Sequence, residues 1–127
     1  MFRVNESSDS EVLEALRRRT TQAYAAGDVD QAVDLYVDEA VQQPPGRPAV
    51  VGRDAIRQSY GLLFSQGGLA LRLSPWETVV SGNEARERGA YHLAMGDRVL
   101  LAGKYVFVAR EAAAGEWRYV WTTVTPD

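Results

Sequence analysis

The chain contains no cysteine and a single histidine. The first absence excludes disulfide scaffolds, thiolate metal sites and cysteine nucleophiles together. The second leaves no Ser-His-Asp order and no H-E-x-x-H spacing to assemble, so no metal site is expected. Nowhere do the roughly 18 apolar residues of a membrane helix run together, and the start, MFRVNESSDSEV, lacks the apolar stretch of about 7–15 residues of a secretory signal. A cytoplasmic location with no membrane partner is the expectation. On that reading Asn5-Glu6-Ser7 fits a glycosylation acceptor by chance. Neither sign of charge dominates: 14 Lys and Arg against 17 Asp and Glu leave −3 at pH 7, too mild to suggest a polyanion, so no nucleic-acid partner is expected. The glycines stand at no spacing of a dinucleotide or phosphate loop, and no cofactor is expected. What is present, 127 residues with 46% apolar and 24% charged, predicts a single folded domain spanning 1–127.

Ser8-Asp9-Ser10-Glu11 has the spacing of a capping box, and Val12, Leu13, Leu16, Thr20, Ala23 and Tyr24 follow at helical intervals to an end near Gly27. Asp28 can cap a second, shorter helix with the stripe Val29, Ala32, Val33 and Tyr36. Ala40–Gln43 reads as a short strand stopped by Pro44, Pro45 and Pro48. From Arg53, Ile56, Tyr60, Leu63 and Phe64 make a third amphipathic helix, closed by Gly67-Gly68. Beyond Leu69 the chain is strand, punctuated by Ser81-Gly82-Asn83, Gly96-Asp97 and Ala114-Gly115. Helices first and hairpins afterwards predict an α+β domain with helices on one face of an antiparallel sheet.

Parity assigns the faces of the strands. Odd positions collect Leu69, Leu71 and Leu73, then Tyr91, Leu93 and Met95, then Tyr105 and Phe107, then Trp117, Tyr119 and Trp121. Even positions collect Arg72, Arg86, Arg88, His92, Lys104, Arg110 and Arg118. The odd face is therefore expected inward, since burying a large apolar side chain yields roughly 1.5–3 kcal/mol and burying an unpaired charge costs far more. Glu87 is the exception, the one acid on the expected inner face of its strand. Val106, Val108 and Val120 interrupt the basic outer face, a mixed surface that suits a homodimer. A single bulged residue would exchange inside and outside beyond it.

The segments AYAAGDVDQAVDLYVDEAV, GRDAIRQSY, SGNEARERGAYHL and GKYVFVAREAAAGEWRYVW, in this order, together resemble the nuclear transport factor 2-like superfamily, in the branch of ketosteroid isomerase-like and SnoaL-like polyketide cyclase-like proteins. The resemblance spans nearly the whole chain. It implies a cone-shaped α+β barrel, a curved antiparallel sheet wrapped around N-terminal helices, with an apolar pocket at the wide end and, in many members, dimerisation through the sheet. It also implies the departures of this chain. The isomerase-like pattern has a general-base aspartate where Gln43 precedes Pro44, a tyrosine near Thr20 and a protonated acid near Gly103 or Lys104; relatives carry an aspartate near Thr122. The first three departures speak against steroid isomerisation.

The resemblance implies a cofactor-independent enzyme that moves a proton on an apolar polyketide- or steroid-like small molecule, by cyclisation, isomerisation or dehydration. In that reading Glu87 moves the proton, Tyr91 and other tyrosine hydroxyls stabilise an enolate-like oxygen, and Trp76 and Trp121 exclude water. Gln43, Tyr24, Tyr60, Trp76, Tyr105, Tyr119 and Trp121 would contact the substrate, although aromatics equally fill cores. An ion pair with Arg53 or Arg57 would explain Glu87 without chemistry. The alternative is a non-catalytic small-molecule-binding or dimerisation module; an epoxide-hydrolase-like reaction needs a carboxylate-positioned water that a lone inward acid serves less well. Outward His92, the acidic run Asp28, Asp30, Asp34 and Asp38, and Arg17-Arg18-Arg19 all read as surface features, the last because consecutive helical residues fan out round the axis.

Overall fold

A computed structural model describes residues 7–127. The expected capping box depends on the Ser8 side chain and the chance acceptor on Asn5, and both lie outside the described residues. The first helical stretch is divided in two, α1 (Ser7–Val12) and α2 (Glu14–Ala26), with buried Leu13 between them. Leu16, Thr20, Ala23 and Tyr24 form the buried stripe of α2. Gly27 ends it at φ 63°, with its own N–H donating to the carbonyl of Tyr24 and that of Asp28 to Ala23, so the closing residue must tolerate the left-handed region. The Asp28 carboxylate accepts from the Gln31 N–H at 3.1 Å and caps α3 (Val29–Val33). Asp28→Ala is expected to lower stability by about 1 kcal/mol in urea unfolding, with no change in far-UV signature.

Helix α3 stops earlier than its stripe predicts. Tyr36 opens strand β1 (Tyr36–Gln43) instead, because β1 is captured by the last strand, Tyr119 N–H donating to Leu35 at 2.7 Å. Tertiary pairing here overrides a local helical pattern. A two-residue strand β2 (Val50–Val51), in a stretch expected to be loop, pairs with β1, and α4 (Arg53–Phe64) follows with Ile56, Tyr60 and Phe64 buried. Strands β3 (Leu69–Ser81), β4 (Glu84–Met95), β5 (Arg98–Ala113) and β6 (Glu116–Pro126) then run as a meander. The curved, unclosed six-stranded sheet has the order β2-β1-β6-β5-β4-β3 and is antiparallel except where β1 lies parallel to β6. Its concave face and helices α2 to α4 enclose the core.

Two bulges decide what faces that core. In β3, Pro75 pairs with Gly89 and Glu77 with Arg88, leaving Trp76 as the extra residue. Before the bulge Leu69 and Leu71 are buried; after it the buried residue is Thr78. Trp76 is 51% exposed, a correction to its expected place in the pocket. In β6, Tyr119 pairs with Ala109 and Trp121 with Val108, so the two β6 positions oppose consecutive residues of β5. The inward set therefore passes from Tyr119 to Thr122, and Trp121, expected inward, is 42% exposed. The period of two in a strand makes one inserted residue sufficient for each reversal.

The β3 bulge also sets the β3–β4 approach. A Cβ on Gly89 would lie 2.3 Å from the Ser74 carbonyl oxygen and 2.8 Å from a ring carbon of Tyr105. Gly89→Ala is accordingly expected to lose about 1–3 kcal/mol by forcing backbone and ring apart, measured by urea midpoint. Among the described residues, no helix is long and apolar enough to cross a membrane.

Candidate functional site

The mouth of the concave sheet opens into a cavity of about 320 Å³. Helix α2 contributes Thr20 and Tyr24, α4 contributes Ser59, Tyr60, Leu62 and Leu63, and β1 contributes Tyr36, Gln42 and Gln43. From the other strands come Leu71, Tyr91, Leu93, Leu101, Phe107, Tyr119, Thr122 and Val124. Gln66 and the loop residues Pro44, Pro45 and Arg47 complete the rim. Among the described residues no Asp, Glu or His lines it, and Arg47 is its one formally charged side chain.

The polar groups of the wall are joined. Tyr36 and Tyr60 hydroxyls lie 2.9 Å apart, and Tyr36 meets Thr122 Oγ1 at 3.1 Å. Tyr24 interacts electrostatically with both Tyr60 and Tyr91, its ring standing edge-on to that of Tyr60 at 5.7 Å, so the phenols Tyr91, Tyr24, Tyr60 and Tyr36 form a series. Gln42 approaches the far end of this series at Tyr36, and its Oε1 is buried with no hydrogen-bond partner among the described residues. Proton bookkeeping fixes another pair. Thr20 Oγ1 donates to the Leu16 carbonyl at 2.7 Å, so at its 2.7 Å contact with Tyr119 it must accept, leaving the Tyr119 oxygen with lone pairs only. Gln43 Nε2 donates to the carbonyls of Arg47, at 2.8 Å, and Pro44, at 3.3 Å, holding the rim loop.

Burial pushes these phenols up. Desolvation is the largest cause for Tyr24, Tyr36, Tyr60 and Tyr119, and it carries Tyr91 to about 12. At neutral pH the wall therefore presents intact hydroxyls, Tyr119 as an acceptor only, and none of them able to serve as a tyrosinate base.

Of the residues expected at the site, Gln43, Tyr24, Tyr60, Tyr91 and Tyr119 do line the cavity. Trp76 and Trp121 do not, for the bulges turn them out. Glu87 and Tyr105 are inward but stand off the wall. Glu87, 2% exposed, accepts from the Arg17 guanidinium, from Thr78 Oγ1 at 2.7 Å and from the Tyr105 hydroxyl at 2.8 Å. Its cationic partner is thus Arg17 of α2 rather than Arg53 or Arg57. Arg53 reaches Asp34 and Asp38, and Arg57 reaches Asp30. The acidic run is matched by arginines on the surface, Asp34 meeting Arg19 and Arg118 as well. The three consecutive arginines diverge as helical geometry requires: Arg17 inward, Arg18 to Glu14 at 3.3 Å, Arg19 to Asp34 at 3.4 Å. His92 pairs across strands with Arg72 and Ala102, half-buried and away from the cavity. No group of three or more His, Cys, Asp or Glu side chains gathers to hold a metal among the described residues.

Sequence reasoning missed Tyr36, Gln42, Arg47 and the inward side of Thr122. Tyr36 was masked by its helical spacing and Thr122 by the bulge; Arg47 carried a usable signal, a lone cation between Gly46 and Pro48 beside the expected pocket.

Comparison with known proteins agrees with this architecture. No curated protein matches the chain. Among solved structures, a ketosteroid isomerase-like protein from Erwinia carotovora atroseptica superposes with a TM-score of 0.77 at 24% identity, covering 95% of this chain and 98% of that one. A proposed dehydratase of the NTF2-like family from Streptomyces avermitilis gives 0.80 at 16% identity, over 95% and 97% of the two chains. A proposed aromatic ring hydroxylase from Novosphingobium aromaticivorans gives 0.80 at 20% identity, over 96% and 91%. At such identities the likeness is one of fold. The family model of the SnoaL-like domain matches residues 17–125, and the chain belongs to that family.

Proposed function

We propose that this chain binds an apolar small molecule in the cone cavity, held by the tyrosine hydroxyls and Gln42. The observation that carries this reading is the wall itself: about 320 Å³ enclosed by leucines, Phe107 and hydrogen-bonding phenols. At the roughly 30 Å³ of a liquid water, the space equals about ten waters, enough for a mono- or bicyclic body. Proton transfer by Glu87 is less well supported. Its oxygens are taken up by Arg17, Thr78 and Tyr105, and general acid–base work requires reach to the ligand. Binding without chemical change is therefore the favoured activity, on the framework whose relatives include proposed enzymes.

Titration with methyl 2-naphthyl ketone tests this, read by calorimetry and, in deuterated water, by exchange of the methyl protons beside the carbonyl. Saturable binding with no accelerated exchange is expected, and Leu71→Trp, which sets an indole across the space the ligand body would occupy, should abolish binding while the fold persists. Accelerated exchange that Glu87→Gln removes would instead restore the proton-transfer reading. Two copies are also proposed to pair through the outer sheet face, where Val106 and Trp121, 45% and 42% exposed, stand on adjacent strands. A mass twice the 14.0 kDa of one chain is expected by light scattering, and a single-chain mass at micromolar concentration would remove the dimer.

A further inference from the structure

We infer that the molecule held in this cavity carries a carboxylate, seated on the Arg47 guanidinium at the mouth with its apolar body inside. This deepens, and rests on, the small-molecule reading above. Arg47 is exposed on the rim and makes no ion pair among the described residues. Its neighbours in sequence differ: Arg53 and Arg57, at the start of α4, are engaged by Asp34, Asp38 and Asp30. The cation at the mouth is thus available.

It is also placed. The loop that carries it is stiffened by Pro44, Pro45 and Pro48, which fix their own backbone angles. The Gln43 amide ties the Arg47 carbonyl to the end of β1 at 2.8 Å, and Gly46 turns the chain at φ 67°. Behind Arg47 the wall carries no formal charge among the described residues, so an anion drawn deeper would lose its hydration without a counter-charge, a heavy penalty. A ligand that satisfies both regions is amphipathic, charged at the rim end and apolar at the other. One guanidinium opposes one negative charge, and its planar fork matches a carboxylate in two parallel hydrogen bonds. A phosphate monoester would leave its second charge uncompensated. The chain as a whole is at −3, so attraction of an anion must come from this local cation and not from a general field.

Calorimetry with 2-naphthoate, 2-naphthamide and 2-naphthyl phosphate on wild type, Arg47→Gln and Leu71→Trp decides the matter. Wild type should bind naphthoate roughly tenfold more tightly than naphthamide at low salt, the scale of a charge-assisted hydrogen bond. The preference should shrink as salt is added. Arg47→Gln, an exposed substitution, should erase the preference while keeping the affinity for naphthamide. Equal binding of acid and amide by wild type, a preference that survives Arg47→Gln, or tighter binding of the phosphate would each overturn the inference. In those cases naphthamide binding that Leu71→Trp abolishes leaves the cavity reading standing. Failure of wild type to bind any of the three would overturn both.

Discussion

Glu87→Leu is expected to destabilise the protein by about 3–5 kcal/mol, the loss that follows when one partner of a buried ion pair is removed. The Arg17 side chain is only 13% exposed and that of Glu87 is at 0%, so the discount that applies to surface pairs does not apply here. Removing the carboxylate takes a shared acceptor from three donors at once: the guanidinium, Thr78 Oγ1 and the Tyr105 hydroxyl. At roughly 3–5 °C per kcal/mol for a chain of this size, the melting temperature should fall by about 9–25 °C. The double variant Arg17→Met, Glu87→Leu should recover part of the loss, since it also replaces the largely buried guanidinium with an apolar side chain. Calorimetric melting of the three proteins checks this. A drop in Glu87→Leu of the size seen for exposed pairs, below about 1 kcal/mol, would mean that the network does not hold α2 to the sheet.

Alkaline titration should produce a comparably large effect. All six tyrosines are buried, and each is raised, first by desolvation. Tyr105 is raised further by the neighbouring Glu87 carboxylate, and Tyr91 stands at about 12. The native state thus keeps protons that the unfolded chain releases near pH 10, and stability must fall as pH rises above that value. Below pH 10 both states are protonated and the phenols contribute no slope. Above it each tyrosine lowers stability by about 1.4 kcal/mol per pH unit until its folded value is reached. Ultraviolet absorbance of tyrosinate should therefore stay low past pH 10, then rise in a single steep step together with loss of the far-UV circular dichroism. Gradual ionisation near pH 10 with the fold intact would contradict the burial of the aromatic wall.

Much of the fold is legible in the sequence because it is local. The stripe Ile56, Tyr60, Leu63 and Phe64 occurs as expected on α4, and Asp28 caps its helix through a bond three residues away. In β4, which has no bulge between Ala85 and Leu93, parity places Ala85, Glu87, Tyr91 and Leu93 inward as alternation requires. The site is less legible. Arg17 and Glu87 stand 70 residues apart, so nothing in periodicity identifies their pairing over the Arg53 and Arg57 alternatives. The same applies to the parallel joining of β1 to β6, which draws Tyr36 out of a helical stripe and onto the cavity wall.

What the sequence by itself determined was a set of periods and stops. These are the helical stripes, the glycine turns, the order of helices before hairpins, and an inner face rich in tyrosine rather than phenylalanine. Each depends on backbone and side-chain preferences felt within a few residues, which a chain carries before it folds. Tertiary structure alone decided the rest: which way Trp76, Trp121 and Thr122 point, which arginine meets Glu87, and that Arg47 stands at the mouth. The reason is geometric. One extra residue in a strand reverses every side chain beyond it, and the partner of a buried charge is chosen by the packing of distant elements.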